Sequence, residues 1–526
     1  MQLAPVADEL PTPEPALLPT EQDVMWWNPT DEVAQRSRLH VADDTRPSAR
    51  ATRDAQSRTL GASRTMPVRT CRRGVRVSSL LIKDGIVVSG TESRRADVLI
   101  EDGRIASIAS DSAAKADRIL SADRCYVLPG GIDVHTHPVY RDDVGALSVT
   151  AAHGGITTVI HYAYAKPGQG LMDTLRAFRA DGESSSIVDF ALHGGLFDPK
   201  NQAGEIPNAV AAGVASHKVF MTYAKLGWMT DDYQLMRTLD ILARCGGLGM
   251  VHAENGLATD YLEDRALEEG LDPKEAFIAT RPDVLEAEAT NRAIAMAQVA
   301  GCPLYIVHVT SRLGLQAIAR ARGAGQRVYA ETCPQYLTLT NEDLLAQGAL
   351  LKIGPPLRTG EDRDALWSAL AAGGLDTVGS DHAPKDKARA DDFFAAPFGS
   401  PQIETMLPLV YDGGVASSRL TIERMVRVTS ENPAKVFGLY PRKGTIQIGS
   451  DADIVLFDPT AEYTITHETQ HSNALYTAYE GRPCTGRPIV TIRRGEVLVE
   501  NGQLTRPSTR ARFLPTRIGA TLADLR

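Results

Sequence analysis

The middle of the chain alternates short runs of apolar and β-branched residues with longer segments of helical periodicity. This pattern is typical of parallel βα units. Eight such runs occur within about 300 residues, which is the number and size expected of a TIM-type barrel. We therefore predict an α/β fold with a (β/α)8 barrel over residues 130–435. The runs begin near residues 132, 157, 187, 217, 247, 303, 327 and 375, with helical patterns at 230–245, 283–300 and 312–321.

Both flanks of this segment consist of short β-type runs broken by turn residues. LLIKDGIVVSG and ADVLIEDGRIASIA precede the barrel, and their Asp-Gly pairs are hairpin signals. A matching texture returns in GTIQIGSDADIVLFDP and IVTIRRGEVLVENGQL. We therefore predict one small composite β-sandwich domain, built from residues 76–129 together with 436–505. Residues 506–526 would form a C-terminal tail.

Residues 1–75 differ in composition from the rest of the chain. Their first part is rich in Pro, Ala, Asp and Glu, and arginines are scattered through the later part. Apart from an apolar group at Met25, Trp26 and Trp27, no periodic pattern is sustained, which predicts a disordered or peripheral extension. Two alternatives stay open. One is a targeting peptide, against which the acidic first third argues, and the other is a wrongly assigned start, with Met66 as the true one.

Charge and cysteine content exclude several classes of partner. The chain has 56 Lys and Arg and 65 Asp and Glu, which gives a net charge of -9. Its overall charge therefore does not attract the phosphate backbone of a nucleic acid. Its six cysteines form no CxxC pair, which argues against a disulfide framework and favours a reducing compartment. No apolar run approaches the roughly 20 residues that span a bilayer. We expect a cytoplasmic protein that binds neither nucleic acid nor membranes.

The strongest local motif is His-Thr-His at the end of the first run. Side chains alternate along a strand, so His135 and His137 face the same side and can bind one metal ion together. Taken alone, such a pair is more often chance or packing. Further candidates follow later runs, namely His252, His308 and Asp381. The ends of barrel strands converge on one face, so chance placement of all five is much less probable than of any one.

Lys218, in the fourth run, shares one strand face with Phe220 and Thr222. An inward lysine is costly in a barrel unless it is neutralised or paired. A lysine amine that has taken up carbon dioxide becomes a carbamate, whose two oxygens can bridge two cations. The alternative is a lysine whose ammonium group reaches solvent at the barrel mouth.

Taken in order, the motifs HTH, HKVFMTY, HAEN, HVTSR, ETCPQYLTLT, GSDHAP, SPQIETMLPL and ENPAKVFGL resemble those of one known group. It is the hydantoinase and dihydropyrimidinase group of cyclic amidohydrolases, in the amidohydrolase superfamily. The resemblance runs from about Leu80 to Gln503. It implies a metal-dependent hydrolase of carbon-nitrogen bonds other than peptide bonds. Its substrate would be a small cyclic ureide or imide of hydantoin or dihydropyrimidine type, opened at the ring amide to an N-carbamoyl amino acid.

The resemblance also implies a binuclear site, and zinc suits its oxygen and nitrogen ligands. The first two histidines would bind one ion and the last two the other. A carbon dioxide-derived carboxylate on the lysine would bridge the ions, and the aspartate would be both ligand and proton shuttle. The implied ligands are His135, His137, Lys218, His252, His308 and Asp381.

Tyr223 matches the family tyrosine that helps to hold the substrate carbonyl. Its parity differs from that of Lys218, so we predict that it lies beyond the regular strand. The alternative is a tyrosine that anchors the barrel rim.

Because family members commonly form homotetramers, the resemblance further implies a homo-oligomer, either a tetramer or a dimer.

One departure from the group concerns the segment from Pro138 to His153, which is shorter than the pocket-shaping loop of hydantoinases and dihydropyrimidinases. Dihydroorotases usually have Arg at the place of Val139. We expect a short loop to leave an open, aromatic mouth, lined mainly by Val139, Tyr140, Tyr162 and Tyr164. This departure leaves the predicted substrate class unchanged. The sequence does not indicate which member of that class is the substrate.

Two other functions stay open. The same site could hydrolyse another cyclic or linear amide. The chain could also be a non-catalytic tetrameric scaffold, as are some relatives that have lost metal ligands. Here every ligand position is filled, which favours an enzyme.

Deletion of residues 2–65 is expected to leave fold and activity nearly intact, because this segment shows no core-forming periodicity. The measurement compares solubility and turnover of the full chain with those of a chain that starts at Met66. An insoluble or inactive truncated protein would contradict the prediction and would show that the segment around Trp26 docks on the rest of the chain.

Overall fold

The computed structural model describes residues 79–388, 392–505 and 507–526, so the extension predicted at 1–75 lies outside the described residues. Its strands form two sheets. The strands are β1 (Ser79–Val88), β2 (Ser93–Glu101), β3 (Arg104–Ala109), β4 (Arg118–Ser121), β5 (Tyr126–Pro129), β6 (Gly131–Thr136), β7 (Ile156–Ala165), β8 (Asp189–Leu196), β9 (Ser216–Phe220), β10 (Leu248–His252), β11 (Leu304–Ile306), β12 (Val328–Thr332), β13 (Thr377–Val378), β14 (Ile454–Ile465), β15 (Arg482–Arg493), β16 (Glu496–Glu500) and β17 (Gln503–Leu504).

Helices connect most of the strands in the middle of the chain. The α-helices of the described residues are Val144–His153, Leu171–Ser185, Pro199–Gln202, Ile206–Ala211, Asp232–Cys245, Gly256–Glu268, Pro273–Ala279, Asp283–Ala300, Arg312–Gly323, Pro334–Thr338, Asn341–Gln347, Gly360–Ala372, Met406–Val410, Ile422–Val426 and Asn432–Val436.

Strands β6 to β13 form one parallel sheet in sequential order. The sheet closes where Thr136, at the end of β6, pairs with His382 beyond β13. Each strand coincides with one of the eight predicted runs. The predicted TIM-type barrel is therefore confirmed.

Helix Asp232–Cys245 illustrates how the outer layer of the barrel is held. It buries Leu235, Leu239 and Leu242, which recur at the spacing of one helix face. Each such side chain contributes about 1.5–3 kcal/mol when it leaves water. The helix begins two residues later than the periodicity predicts, because Asp231 is extended and its carboxylate accepts the backbone N–H of the third helical residue.

The second sheet joins both flanks of the chain in the order β17-β16-β15-β14-β5-β1-β2-β3, with β4 on β1. It folds back on itself, since the Ala452 N–H, just before β14, donates to the Gly103 carbonyl beside β3. The two halves share one apolar core, and the predicted composite β-sandwich is confirmed. The core includes Ile82, Val98, Ile454 and Ile492.

The C-terminal segment crosses the N-terminal ends of the barrel strands. The Leu514 N–H donates to the Phe190 carbonyl at the start of β8, and the Thr516 N–H donates to the Gly213 carbonyl before β9. Leu514 and Leu525 are buried in the cluster that fills the barrel. This end of the barrel is therefore covered, whereas the strand C-terminal ends lie on the opposite face.

The exact domain boundaries, 76–129 with 436–505 and 130–435, stay predictions. Among the described residues, no helix combines the length and apolar character needed to cross a bilayer.

Candidate metal centre

The residues predicted for the site all lie within or shortly after barrel strands. His135 is in β6 and Lys218 in β9, while His252 is the last residue of β10. His308 follows β11 by two residues and Asp381 follows β13 by three. The parallel strands bring these positions to one face, as the strand-end argument requires.

Asp381 lies against the two histidines of the first motif. Its Oδ1 is 2.9 Å from Nε2 of His137 and 3.3 Å from Nε2 of His135. The Lys218 Nζ lies 3.1 Å from the same nitrogen of His135. The imidazole and carboxylate atoms of His135, His137 and Asp381 all lie within 4.8 Å of one another, close enough to hold one ion.

The second pair of histidines adjoins the first. The ring centroids of His252 and His308 are 4.5 Å apart, and those of His308 and His135 are 5.4 Å apart. Burial lowers the pKa values of His135 and His308 well below the usual range, and the positive charge of Lys218 adds to this effect. These two imidazoles are therefore neutral, which is the form that binds metals.

Two buried carboxylates orient two of the four histidines. Neither carboxylate was assigned a role from the sequence. Glu331 Oε1 lies 2.6 Å from Nδ1 of His135, and Glu254 Oε2 lies 2.7 Å from Nε2 of His252. A carboxylate that accepts one ring N–H leaves the lone pair of the other ring nitrogen for a metal. The sequence signal was present, since Glu331 interrupts the apolar β12 strand and Glu254 follows His252 by two residues.

Glu331 is held by several groups in the barrel interior. The Tyr305 hydroxyl donates to its Oε2 at 2.9 Å, and the His308 N–H donates to its Oε1 at 3.2 Å. Burial nevertheless raises the pKa of the Glu331 carboxyl to about 8. A cation bound beside His135 would lower this pKa and keep the Glu331 carboxyl ionised. The ionised carboxylate would in turn stabilise the cation.

Lys218 is only 2% exposed, so its amine does not reach solvent at the mouth. Its Nζ lies 4.4 Å from the centre of the Tyr162 ring. Burial lowers the pKa of Lys218 to about 8, although Asp381 and Glu331 oppose this effect. The amine is therefore partly neutral near pH 7 to 8, and the neutral amine is the form that reacts with carbon dioxide.

Three residues of the site have left-handed backbone conformations. Tyr223 has φ 66°, His308 has φ 38° and Asp381 has φ 52°. Such a conformation costs a non-glycine residue about 1–3 kcal/mol and recurs at functional sites. At Tyr223 it follows the end of β9, so this residue lies beyond the regular strand, as its parity predicts.

Aromatic rings surround the candidate ligands, but their arrangement differs from the expected mouth. Tyr162 is fully buried and its ring lies 4.7 Å from that of His135, so its placement at the mouth was wrong. Tyr164 stacks on His137 at 5.6 Å, and Tyr140 lies 6.5 Å from the same ring. Sequence reasoning missed the rings around Tyr223, which are those of Phe220, Trp228 and Phe398.

A second group of possible ligands lies elsewhere and suits an ion less well. It consists of His153, Glu404 and His471. Metal-nitrogen distances near 2.1 Å place two imidazole centres on one ion roughly 5 Å apart. The centres of His135 and His137 are 5.2 Å apart, whereas those of His153 and His471 stack at 3.3 Å. The barrel group is therefore the better metal site.

Comparisons with known proteins identify the family to which the chain belongs. The family model described as "Amidohydrolase family" matches residues 126–498. A D-hydantoinase of Ralstonia pickettii is 40% identical over 455 residues, which are 83% of this chain and 99% of the relative. A D-phenylhydantoinase of Escherichia coli is 36% identical over 83% of this chain and 97% of its own length.

A solved dihydropyrimidinase from Brevibacillus agri superposes with a TM-score of 0.80 and 37% identity, over 84% of this chain and 99% of its own. The chain therefore belongs to the amidohydrolase family. Its resemblance to the hydantoinase and dihydropyrimidinase group is confirmed.

Glu331→Gln is expected to weaken metal binding by about 10–100-fold, because the amide is a poorer acceptor for the His135 N–H. The measurement is competition with a chelator of known affinity. Glu183→Gln, an exposed residue on helix Leu171–Ser185, is the matched control and should leave metal affinity unchanged. Equal affinity in the wild type and Glu331→Gln would show that the contact does not support a ligand.

Proposed function

We propose that this protein is a cyclic amidohydrolase that opens the ring amide bond of a hydantoin-type or dihydropyrimidine-type ureide, or of a cyclic imide. The observation that carries the proposal is the cluster of four histidines, one lysine and one aspartate at a barrel mouth. Relatives named D-hydantoinase and dihydropyrimidinase support the same substrate class. The product from a cyclic ureide is an N-carbamoyl amino acid.

The metal centre is proposed as two divalent ions, with zinc favoured by the nitrogen and oxygen donors. The residues fit such ions, since carboxylates orient His135 and His252, and a ring nitrogen of His308 is buried without a partner among the described residues. When bound, two such ions polarise a carbonyl group and lower the pKa of water enough for attack at neutral pH. The proposed ligands are His135, His137, Lys218, His252, His308 and Asp381.

Lys218 is proposed to act as a carbamate. Its neutral amine attacks the carbon of carbon dioxide, a nitrogen-carbon bond forms as one carbon-oxygen π bond breaks, and the proton released from the nitrogen goes to solvent. The product is an anion with two oxygens in place of a buried cation. This change removes the cost of a positive charge beside the histidines, of which His135 has its Nε2 3.1 Å from Nζ.

Asp381 is proposed as the group that moves the proton. Its side chain is 15% exposed, so it is reachable from the mouth, while its Oδ1 contacts both histidines of the first motif. It takes a proton from the attacking water as the carbon-oxygen bond forms. It then gives this proton to the ring nitrogen as the carbon-nitrogen bond breaks, which is a general base and acid role.

Tyr223 is proposed to hold the substrate carbonyl. Burial raises the pKa of its hydroxyl well above the usual value, so the group stays protonated and can donate a hydrogen bond. Its ring lies 5.2 Å from that of His252, which places it beside the proposed ligands. A donor in this position stabilises negative charge that develops on the carbonyl oxygen.

The assembly is proposed to be a homo-oligomer in the cytoplasm. Exposed apolar residues on the outer helices support contact between subunits. Leu257 and Tyr261 lie one turn apart on helix Gly256–Glu268 and are each 64% exposed, and Tyr233 is 75% exposed. The scattered cysteines, with no disulfide among the described residues, suit a reducing compartment.

A panel of cyclic ureides, cyclic imides and linear amides tests the proposed function. Turnover of the cyclic ureides or imides, with linear amides at background, is the expected result. Preference for a linear amide would assign the same site to another hydrolysis. No turnover of any member by metal-loaded protein would favour a scaffold.

Lys218→Ala is expected to lose most of the bound metal and to lower turnover by at least about 10²-fold, because the bridging carboxylate is gone. A short carboxylic acid added to the assay should restore part of the activity by taking its place. Lys200→Ala, an exposed residue, is the matched control. Full metal content and full turnover in Lys218→Ala would contradict the bridging role.

A phenyl-substituted hydantoin should have a higher kcat/KM than dihydrouracil, by about tenfold or more, because aromatic rings line the mouth. Tyr140→Ala should reduce this preference by about three- to tenfold, since Tyr140 lies at the mouth beside His137. Tyr126→Ala, on β5 of the second sheet, is the control. A clear preference for dihydrouracil would indicate a pyrimidine-degrading enzyme.

A further inference from the structure

His382, the residue after Asp381, has both ring nitrogens fixed by hydrogen bonds. Its Nδ1 accepts the backbone N–H groups of Gln402 at 3.0 Å and Ile403 at 3.2 Å. Two donors at Nδ1 require the ring proton to sit on Nε2. This Nε2 lies 2.9 Å from Oδ2 of Asp142, so the imidazole donates to that carboxylate.

Asp142 is fully buried in the short segment that follows the first barrel strand. Both of its oxygens are engaged by a distant part of the chain. The Ser472 hydroxyl donates to Oδ2 at 2.7 Å, and the Asn473 N–H donates to Oδ1 at 2.8 Å. The Asp142–His382 pair therefore ties the first loop to the segment after β14.

The backbone of His382 is tied to the proposed metal ligands. The His137 N–H donates to the His382 carbonyl at 3.0 Å, and the His382 N–H donates to Oγ of Ser380 at 3.1 Å. The same Ser380 hydroxyl donates to the His135 carbonyl at 3.2 Å. Asp381, with φ 52°, thus lies between two residues whose positions are fixed on the first strand.

We propose that Asp142 and His382 are positioning residues that hold the carboxylate of Asp381 for proton delivery to the leaving ring nitrogen. Neither touches the reacting atoms in this arrangement. They act by fixing the strained turn that carries Asp381. The inference rests on the proposed function, because it assigns the proton transfer to Asp381.

Substitution of Asp142 by asparagine separates this role from simple packing. The amide has nearly the shape of the carboxylate, but only one oxygen. If that oxygen accepts from the His382 ring, the NH₂ group of the amide faces the Asn473 N–H, which is also a donor. In the opposite rotamer the NH₂ group faces the His382 N–H instead. The ring cannot change tautomer, because two backbone N–H groups occupy Nδ1. One pair of opposed donors is unavoidable.

The experiment measures kcat, KM, metal content and the solvent deuterium isotope effect for the cyclic substrate that the wild type turns over fastest. Asp142→Asn is expected to lower kcat by about tenfold or more, to change KM by less than about twofold, and to retain its metal. The isotope effect on kcat should rise, because proton transfer becomes slower than the other steps. Asp381→Asn, which keeps an oxygen but cannot carry a proton, is the reference for complete loss and should lower kcat by about 10² or more.

Asp143→Asn is the matched control, because Asp143 is exposed and its carboxylate caps helix Val144–His153. Asparagine caps a helix about as well as aspartate, so its kcat should match the wild type. Ser472→Ala is the second variant, should Asp142→Asn not fold. It removes one hydrogen bond to Asp142 and should lower kcat by about threefold, with the same rise in isotope effect.

Unchanged kcat in Asp142→Asn would overturn the inference. So would a loss of kcat that follows loss of metal, or one without a rise in the isotope effect, since either would indicate a structural role alone. Failure of the proposed function is a separate result, because the wild type would then turn over no cyclic amide at all.

Discussion

The contact between His137 and Asp381 joins residues that are 244 positions apart in the sequence and 2.9 Å apart in space. Closure of eight parallel strands makes this contact possible, because the first and last strands become neighbours. The pairing of Thr136 with His382 completes that closure one residue away from each partner. The remaining features of the site follow from the converging strand ends.

Converging strand ends also create an electrostatic problem. Four imidazoles and the Lys218 amine share a nearly dry volume. Burial there lowers the pKa values of His135, His137, His308 and Lys218, which disfavours their protonated forms. Glu331 and Glu254 each hold a ring nitrogen, and the pKa of Glu331 is itself raised to about 8 by burial. Imidazole nitrogens and buried carboxylates together form a candidate site for cations. The proposed metal ions would balance the charges of these carboxylates.

The sequence was sufficient for the features that depend on local periodicity. Each of the eight strands was predicted from its apolar run, and the histidines became candidate ligands because they lie at the ends of such runs. Glu331 and Glu254 were missed because their roles depend on which ring nitrogen faces them. The left-handed conformations of His308 and Asp381 could not be predicted from the sequence, since neither residue is a glycine. The Asp142–His382 pair depends on a third segment, around Ser472, whose position only the folded chain reveals.

The misplaced Tyr162 has a similar cause. Alternation along β7 predicts correctly that Tyr162 and Tyr164 share a face, but not how deep each lies along the barrel axis. Both rings contact candidate ligands, but Tyr162 is fully buried against His135 and Lys218, whereas Tyr164 is slightly exposed beside His137. Depth is set by the stagger of neighbouring strands, which a single sequence does not contain.

The claim on which the account rests is that the barrel cluster is a two-ion hydrolytic centre. The most direct measurement is the metal content of freshly purified, active protein, followed by chelation and reconstitution. The account predicts close to two divalent ions per chain, loss of turnover on chelation, and recovery when zinc or a similar ion is returned. Full activity in protein that holds at most trace metal would contradict it.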